Sequence, residues 1–127
     1  THSSLFDLLK KLSEKKVRVM ITTDHGTIRV KRPEKIIGDR NTNTNLRYKA
    51  GRNLAFDEDA VFSSRKPEDL MLPKTNVSTS FAFTSEDYFF AYPNNFNYYV
   101  NFYKDTFQHG GISLEEMIVP FISLLPK

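Results

Sequence analysis

The sequence contains no cysteine and no tryptophan in its 127 residues. The lack of cysteine excludes a disulfide framework and any thiolate chemistry. No apolar run approaches the ~18–20 residues that a membrane span needs. Residues 1–7 also lack the basic and then apolar pattern of a secretory signal, and no initiator methionine is present. These absences predict a cytoplasmic domain with no membrane contact, cut from a longer parent but long enough to bury a core.

Charge is divided unevenly along the chain. Residues 1–66 carry 15 Lys and Arg against 8 Asp and Glu, whereas residues 67–127 carry 3 against 7. The first half could therefore attract an anion such as a phosphate or a nucleic-acid backbone. The alternative is that part of the excess is the solvated face of one helix, formed by Lys10, Lys11, Lys15, Lys16 and Arg18.

Aromatic residues are concentrated in one segment. Twelve of the 17 Phe and Tyr residues lie within residues 81–107, interspersed with asparagines. Such rings can stack on nucleic-acid bases, or they can form an aromatic core. The core is favoured, because aromatic residues in a small domain are mostly buried.

Hydrophobic periodicity predicts alternating helices and strands. A helix is expected over residues 5–16 with Ser4 as its N-cap, and Ser113 and Glu116 form a capping box for a turn at 114–117. Residues 96–107 fit either a helix or a strand. Strands are predicted at residues 17–23, 27–32, 60–64, 77–84, 88–92 and 121–125. Pro33 permits only an edge strand, and residues 38–53 form a long basic loop with a short strand near 46–49. This order indicates an α/β or α+β domain.

Two of the three histidines stand at predicted element ends and are followed directly by glycine. Asp24-His25-Gly26 ends a strand, and His109-Gly110 follows the aromatic segment, whereas His2 is terminal. Carboxylate and imidazole side chains suit zinc or a similar divalent metal. An Asp-His pair is also common in ordinary turns, so spacing alone leaves both interpretations open. Walker, Gly-x-Ser-x-Gly and His-Glu-x-x-His motifs are absent from the sequence.

Two motifs together resemble the C-terminal half of the alkaline phosphatase superfamily. They are residues 22–26, Thr-Thr-Asp-His-Gly, and residues 108–116, Gln-His-Gly-Gly-Ile-Ser-Leu-Glu-Glu, followed by Val119-Pro120. The branch they resemble is the PglZ domain. The intervening segment at 35–48 is similar to the version in PorX-type response regulators, which control type IX secretion.

The resemblance implies a two-metal phosphatase or phosphodiesterase. Its fold is an α/β sandwich in which helices flank a mixed β-sheet. Asp24 and His25 match ligands of one metal and His109 matches a ligand of the other, with two zinc ions in the intact domain. Ser113, Glu115 and Glu116 match a part of the motif that we interpret as structural. Two divalent ions can activate the attacking oxygen and neutralise phosphoryl charge.

The resemblance also indicates what lies outside this sequence. The family's nucleophile and its remaining ligands precede the Asp-His-Gly motif, and no residue here matches them. We therefore expect residues 1–127 to be the C-terminal part of a PglZ domain, inactive alone, with the receiver region of a two-component regulator upstream.

The basic loop supplies candidate contacts to a phosphate ester or nucleotide substrate. These are Arg40, Arg47, Lys49 and Arg52. The alternative for the whole chain is a non-catalytic module that binds nucleic acid or protein or forms a homodimer.

Overall fold

A computed structural model describes residues 3–126, which form two compact units. One unit comprises the described residues of Thr1–Asp24 and Val119–Lys127, and the other comprises His25–Ile118. The helices are α1 (Ser4–Glu14), α2 (Phe96–Tyr103) and α3 (Leu114–Met117), with a 3-10 turn at Pro67–Leu70. The strands are β1 (Val19–Thr22), β2 (Ile28–Arg29), β3 (Arg32–Lys35), β4 (Tyr48–Gly51), β5 (Val61–Ser64), β6 (Ser80–Thr84), β7 (Tyr88–Ala91), β8 (Phe107–Gln108) and β9 (Phe121–Leu124).

The first unit consists of α1 and a two-stranded antiparallel sheet. Strand β1 pairs with β9, so that Val19 lies opposite Leu124 and Thr22 opposite Phe121. The β-branched residues of β1 favour this extended conformation. Helix α1 is amphipathic, and its lysines are exposed, as the solvated-face interpretation expects.

The second unit contains three small sheets. Strands β4, β6 and β5 form an antiparallel sheet with β6 in the centre. Strands β3 and β7 pair in parallel, and β2 pairs antiparallel with β8. Pro33 lies in β3, which is an edge strand of its two-stranded sheet, as its missing N–H requires.

Two clusters of buried side chains form the core of the second unit. One is built from Ile36, Ala60, Val61, Ala82 and Phe90. The other contains Val30, Phe89 and Ala91. The aromatic-core prediction is therefore confirmed for β6 and β7, but it is wrong for the surface of α2, where Tyr98 and Phe102 are exposed.

The mixed α/β class is confirmed, and most predicted elements are present. The ambiguous segment at 96–107 divides into α2 and then β8. Helix α1 begins one residue earlier than predicted, with Ser3 and not Ser4 as its N-cap. No helix within residues 3–126 is long and apolar enough to cross a membrane.

Candidate metal centre

His25 and His109 lie side by side in the second unit. Their rings stack with centroids 3.7 Å apart and an interplanar angle of 9°. Sheet pairing explains this proximity, because Ile28 lies opposite Gln108 in the β2–β8 pair. In an antiparallel pair the start of one strand lies beside the end of the other, so His25, before β2, lies near His109, after β8.

The ring of His25 is hydrogen-bonded to the backbone of the following residue. Its Nδ1 lies 2.8 Å from the carbonyl oxygen of Gly26. A carbonyl can only accept a hydrogen bond, so Nδ1 donates the proton in this contact. Metal-binding histidines commonly donate one N–H to a backbone carbonyl in this way.

The carboxylate of Glu116 is buried and contacts the backbone just after His109. Glu116 accepts five hydrogen bonds: from Arg47 Nε and Nη2 at 2.8 and 2.7 Å, from Gly111 N at 2.9 Å, and from both N and Oγ of Ser113. Burial alone would raise the pKa of Glu116, but the hydrogen bonds from Arg47, Ser113 and Gly111 outweigh it and lower the pKa below its usual value. The carboxylate is therefore ionised at neutral pH.

Glu116 also contacts the first histidine motif, through its main chain. Gly26 N donates to the carbonyl oxygen of Glu116 at 2.9 Å. A side chain on Gly26 would clash with the carbonyl of Glu115. At Gly111 an added Cβ would lie 2.7 Å from Arg47 Nη2 and 2.8 Å from Glu116 Oε2. Glycine at both positions is required by close packing around Glu116.

Arg47 is the cationic partner of this carboxylate. Its side chain is 0% exposed and that of Glu116 is 2% exposed, and the pair is bidentate. Arg47 also donates to the carbonyl oxygen of Tyr88. These contacts commit its guanidinium to the interior of the unit.

The chain matches the model of one known family over nearly its whole length. Residues 1–124 match PglZ, described as the BREX system PglZ alkaline phosphatase-like domain. The chain belongs to the PglZ family. No curated protein matches the chain. The match supports the alkaline-phosphatase-like fold and a phosphoesterase-type domain, in a superfamily that typically uses divalent metals.

The two histidines of this PglZ chain fit one metal ion each better than a shared ion. An ion bound to imidazole lies near the ring plane, about 2.0–2.1 Å from the nitrogen. Two nearly parallel rings 3.7 Å apart do not place a single ion in both planes. Within residues 3–126, no group of three or more His, Asp and Glu residues is arranged to hold a metal. The donor types suit zinc, and each ion would need further ligands.

Asp24 is the third predicted ligand. Asp24 directly precedes His25 in the sequence, but it belongs to the first unit and is exposed. It forms an interaction within the structure and is not an isolated side chain. His2 lies outside the described residues. The assignment of Asp24, His25 and His109 as ligands stays a prediction.

The four basic residues predicted to contact substrate are not in equivalent environments. Arg40 and Arg52 are exposed, whereas Arg47 is buried against Glu116. Lys49 is 1% exposed, and its Nζ donates to the carbonyl oxygen of Asn43 at 2.9 Å and lies 4.6 Å from the centre of the Tyr92 ring. The prediction of substrate contact therefore applies best to Arg40 and Arg52.

Sequence reasoning did not identify the Arg47–Glu116 pair. It treated Glu116 as a helix-capping residue, which the capping box at Ser113 confirms, and Arg47 as a candidate contact to a phosphate ester or nucleotide. The two residues are 69 positions apart, and nothing in the local pattern links them. The one local signal is the position of Arg47 between Leu46 and Tyr48, directly before β4.

Proposed function

We propose that the chain is the C-terminal part of a metal-dependent phosphatase or phosphodiesterase domain. The observation that carries this proposal is the stacked pair of His25 and His109 in a member of the alkaline-phosphatase-like PglZ family. One imidazole for each of two ions would agree with the divided ligand sets of two-metal sites. Asp24 and His25 would hold one ion and His109 the other.

In this proposal, residues of this chain would hold the metal ions and attract the anionic substrate. Bound zinc would supply charge neutralisation for the phosphoryl group and an activated oxygen. The hydrogen bond from His25 Nδ1 to the Gly26 carbonyl oxygen orients the ring, and Nε2 would bind the ion. Exposed Arg40 and Arg52 provide positive charge for an anionic ester or nucleotide.

The proposal extends to the protein's context. The nucleophile and remaining ligands would come from an upstream part of the domain, in a cytoplasmic response regulator of the PorX type with an N-terminal receiver region. The support is the similarity of residues 35–48 to that branch, in addition to the family match.

The deciding experiment replaces His109 in the full-length parent protein. His109→Ala should reduce chelator-sensitive hydrolysis of a model phosphodiester by at least about 100-fold, because it removes a metal ligand. Ser63→Ala, at an exposed position in β5, provides a control that should retain activity. Full activity in His109→Ala would contradict the ligand assignment.

A non-catalytic binding module is the second candidate. The exposed rings of Tyr98 and Phe102 on α2, with centroids 6.1 Å apart, favour this alternative. Such rings can stack on bases or contact a partner or a second copy. Oligonucleotide binding by the same parent protein can be measured at several salt concentrations and with a chelator. Binding that depends steeply on salt and is unaffected by the chelator would support this function and not the first.

A further inference from the structure

We propose that Glu116, held by Arg47, is a positioning residue that fixes His25 and His109 in their stack. One residue thereby serves both histidine motifs. The positioning role concerns the geometry of this chain alone. Its consequence for metal affinity rests on the proposed function, and the experiment below separates the two.

The first connection runs from the main chain of Glu116 to His25. The carbonyl oxygen of Glu116 accepts a hydrogen bond from Gly26 N at 2.9 Å. The carbonyl oxygen of Gly26 in turn accepts from His25 Nδ1 at 2.8 Å. The orientation of the His25 ring therefore depends on where the backbone of Glu116 lies.

The second connection runs from the side chain of Glu116 to His109. Its Oε1 accepts from Gly111 N at 2.9 Å, two residues after His109. Ile112 N donates to the Thr84 carbonyl oxygen, and Asn45 Nδ2 lies 3.4 Å from the His109 carbonyl oxygen. The segment 109–112 is thus attached on one side to Glu116 and on the other to β6 and the basic loop.

The ion pair keeps this double connection in one place. Arg47 binds both carboxylate oxygens, and its own main chain is fixed because Arg47 O accepts from Thr84 N at 2.9 Å and from Thr84 Oγ1 at 3.1 Å. A glutamine at position 116 would present an amide donor to donors of Arg47 or Ser113, so it would break the arrangement without changing its size.

A purely stabilising ion pair could be exchanged for apolar residues without moving the histidines. Replacing a buried pair by apolar side chains of similar volume is often neutral for stability. The double variant Arg47→Met with Glu116→Leu can therefore keep the fold while it removes the hydrogen bonds to Gly111. The chemical shifts of the histidine ring protons, and not the stability, are therefore the informative measurement.

The experiment records the imidazole proton shifts of His25 and His109 by NMR in the present chain. Stacking at 3.7 Å shifts ring protons upfield, and His25→Ala and His109→Ala give the unstacked reference for the remaining ring. We expect Glu116→Gln and the double variant to lose at least about half of the upfield shift. Glu115→Gln, an exposed neighbour, should leave it unchanged.

Circular dichroism identifies variants that retain the fold, and the double variant substitutes for Glu116→Gln if the latter unfolds. Unchanged ring shifts in a folded double variant would overturn the positioning role. Altered shifts with loss of fold in every Glu116 variant would also contradict it, because the pair would then be structural only.

Zinc titration of the same substitutions in the longer parent protein separates the two proposals. Loss of the supporting hydrogen bonds should weaken zinc binding about 10–100-fold relative to the unsubstituted parent. Altered ring shifts in this chain, with no zinc binding by the unsubstituted parent, would leave the positioning role intact and count against the metal function. Altered shifts with unchanged zinc affinity would contradict the link between the stack and the metal.

Discussion

Lys49 combines a positive charge with almost complete burial. Its Nζ has a main-chain carbonyl and the Tyr92 ring as partners, and no ion pair with a carboxylate is found for it within the described part of the chain. Burial lowers the pKa of Lys49 from 10.5 to about 8. The folded protein therefore disfavours the charged form of this residue.

The lowered pKa predicts how stability changes with pH. Between pH 8 and 10.5 the folded protein releases the Lys49 proton while the unfolded chain retains it, so the free energy of unfolding should rise with pH in this window. The contribution of Lys49 between pH 7.5 and 10 is about 2 kcal/mol. Urea unfolding of Lys49→Met should lack this rise, whereas the exposed control Lys35→Met should retain it. Identical pH profiles for Lys49→Met and the unsubstituted chain would contradict the prediction.

Short elements in this chain depend on particular side chains at their ends. Helix α3 has only four residues, too few to be stable from intrinsic propensity. Its capping box, between Ser113 and Glu116, therefore contributes a large part of its stability. The same glutamate forms the buried ion pair, so the helix and the histidine motif stabilise each other.

Removing the cap tests this dependence at the level of the element. Ser113→Ala should lower the free energy of unfolding by about 1 kcal/mol, because it leaves a helix donor and the Glu116 carboxylate with one partner fewer. Ser63→Ala, at an exposed position in β5, is the matched control and should change stability by less than about 0.5 kcal/mol. Equal effects of the two substitutions in urea unfolding would argue against the capping role.

Local patterns in the sequence predicted most elements but few of their partners. Helix α1, strands β5 and β7 and the cap of α3 follow from apolar periodicity and capping residues that act within a few positions. The parallel pairing of β3 with β7 and the contact of Arg47 with Glu116 depend on residues far apart in the chain. The stacked histidines belong to this second class, so the residues were predicted while their face-to-face geometry was not.

On the scale of the whole molecule, the predicted ligands are too few for two complete sites. A structural zinc site usually has four ligands and a catalytic one three with water. Asp24, His25 and His109 would be divided between two ions. Since no group of three or more His, Asp and Glu residues within residues 3–126 is arranged to hold a metal, we expect the chain alone to bind zinc weakly.

Calorimetric titration of the isolated chain with zinc measures this shortage. We expect weak binding, with a dissociation constant above about 10 μM, and no hydrolysis of phosphodiesters. A longer parent that contains the upstream part of the domain should bind two equivalents far more tightly. Tight binding of two equivalents by the isolated chain would contradict the expected division of the ligands.

The pairing of β1 with β9 has a consequence for the order of folding events. Residues 25–118 lie between these two strands in the sequence, so the pairing closes a loop of about 100 residues. The entropy of such a closure costs about 4 kcal/mol in a flexible chain, and a sheet of two four-residue strands recovers little of it. The contiguous second unit can fold before this closure is made. Sheet β1–β9 would then be the last part to form, because folding of the second unit first brings residues 26 and 116 together.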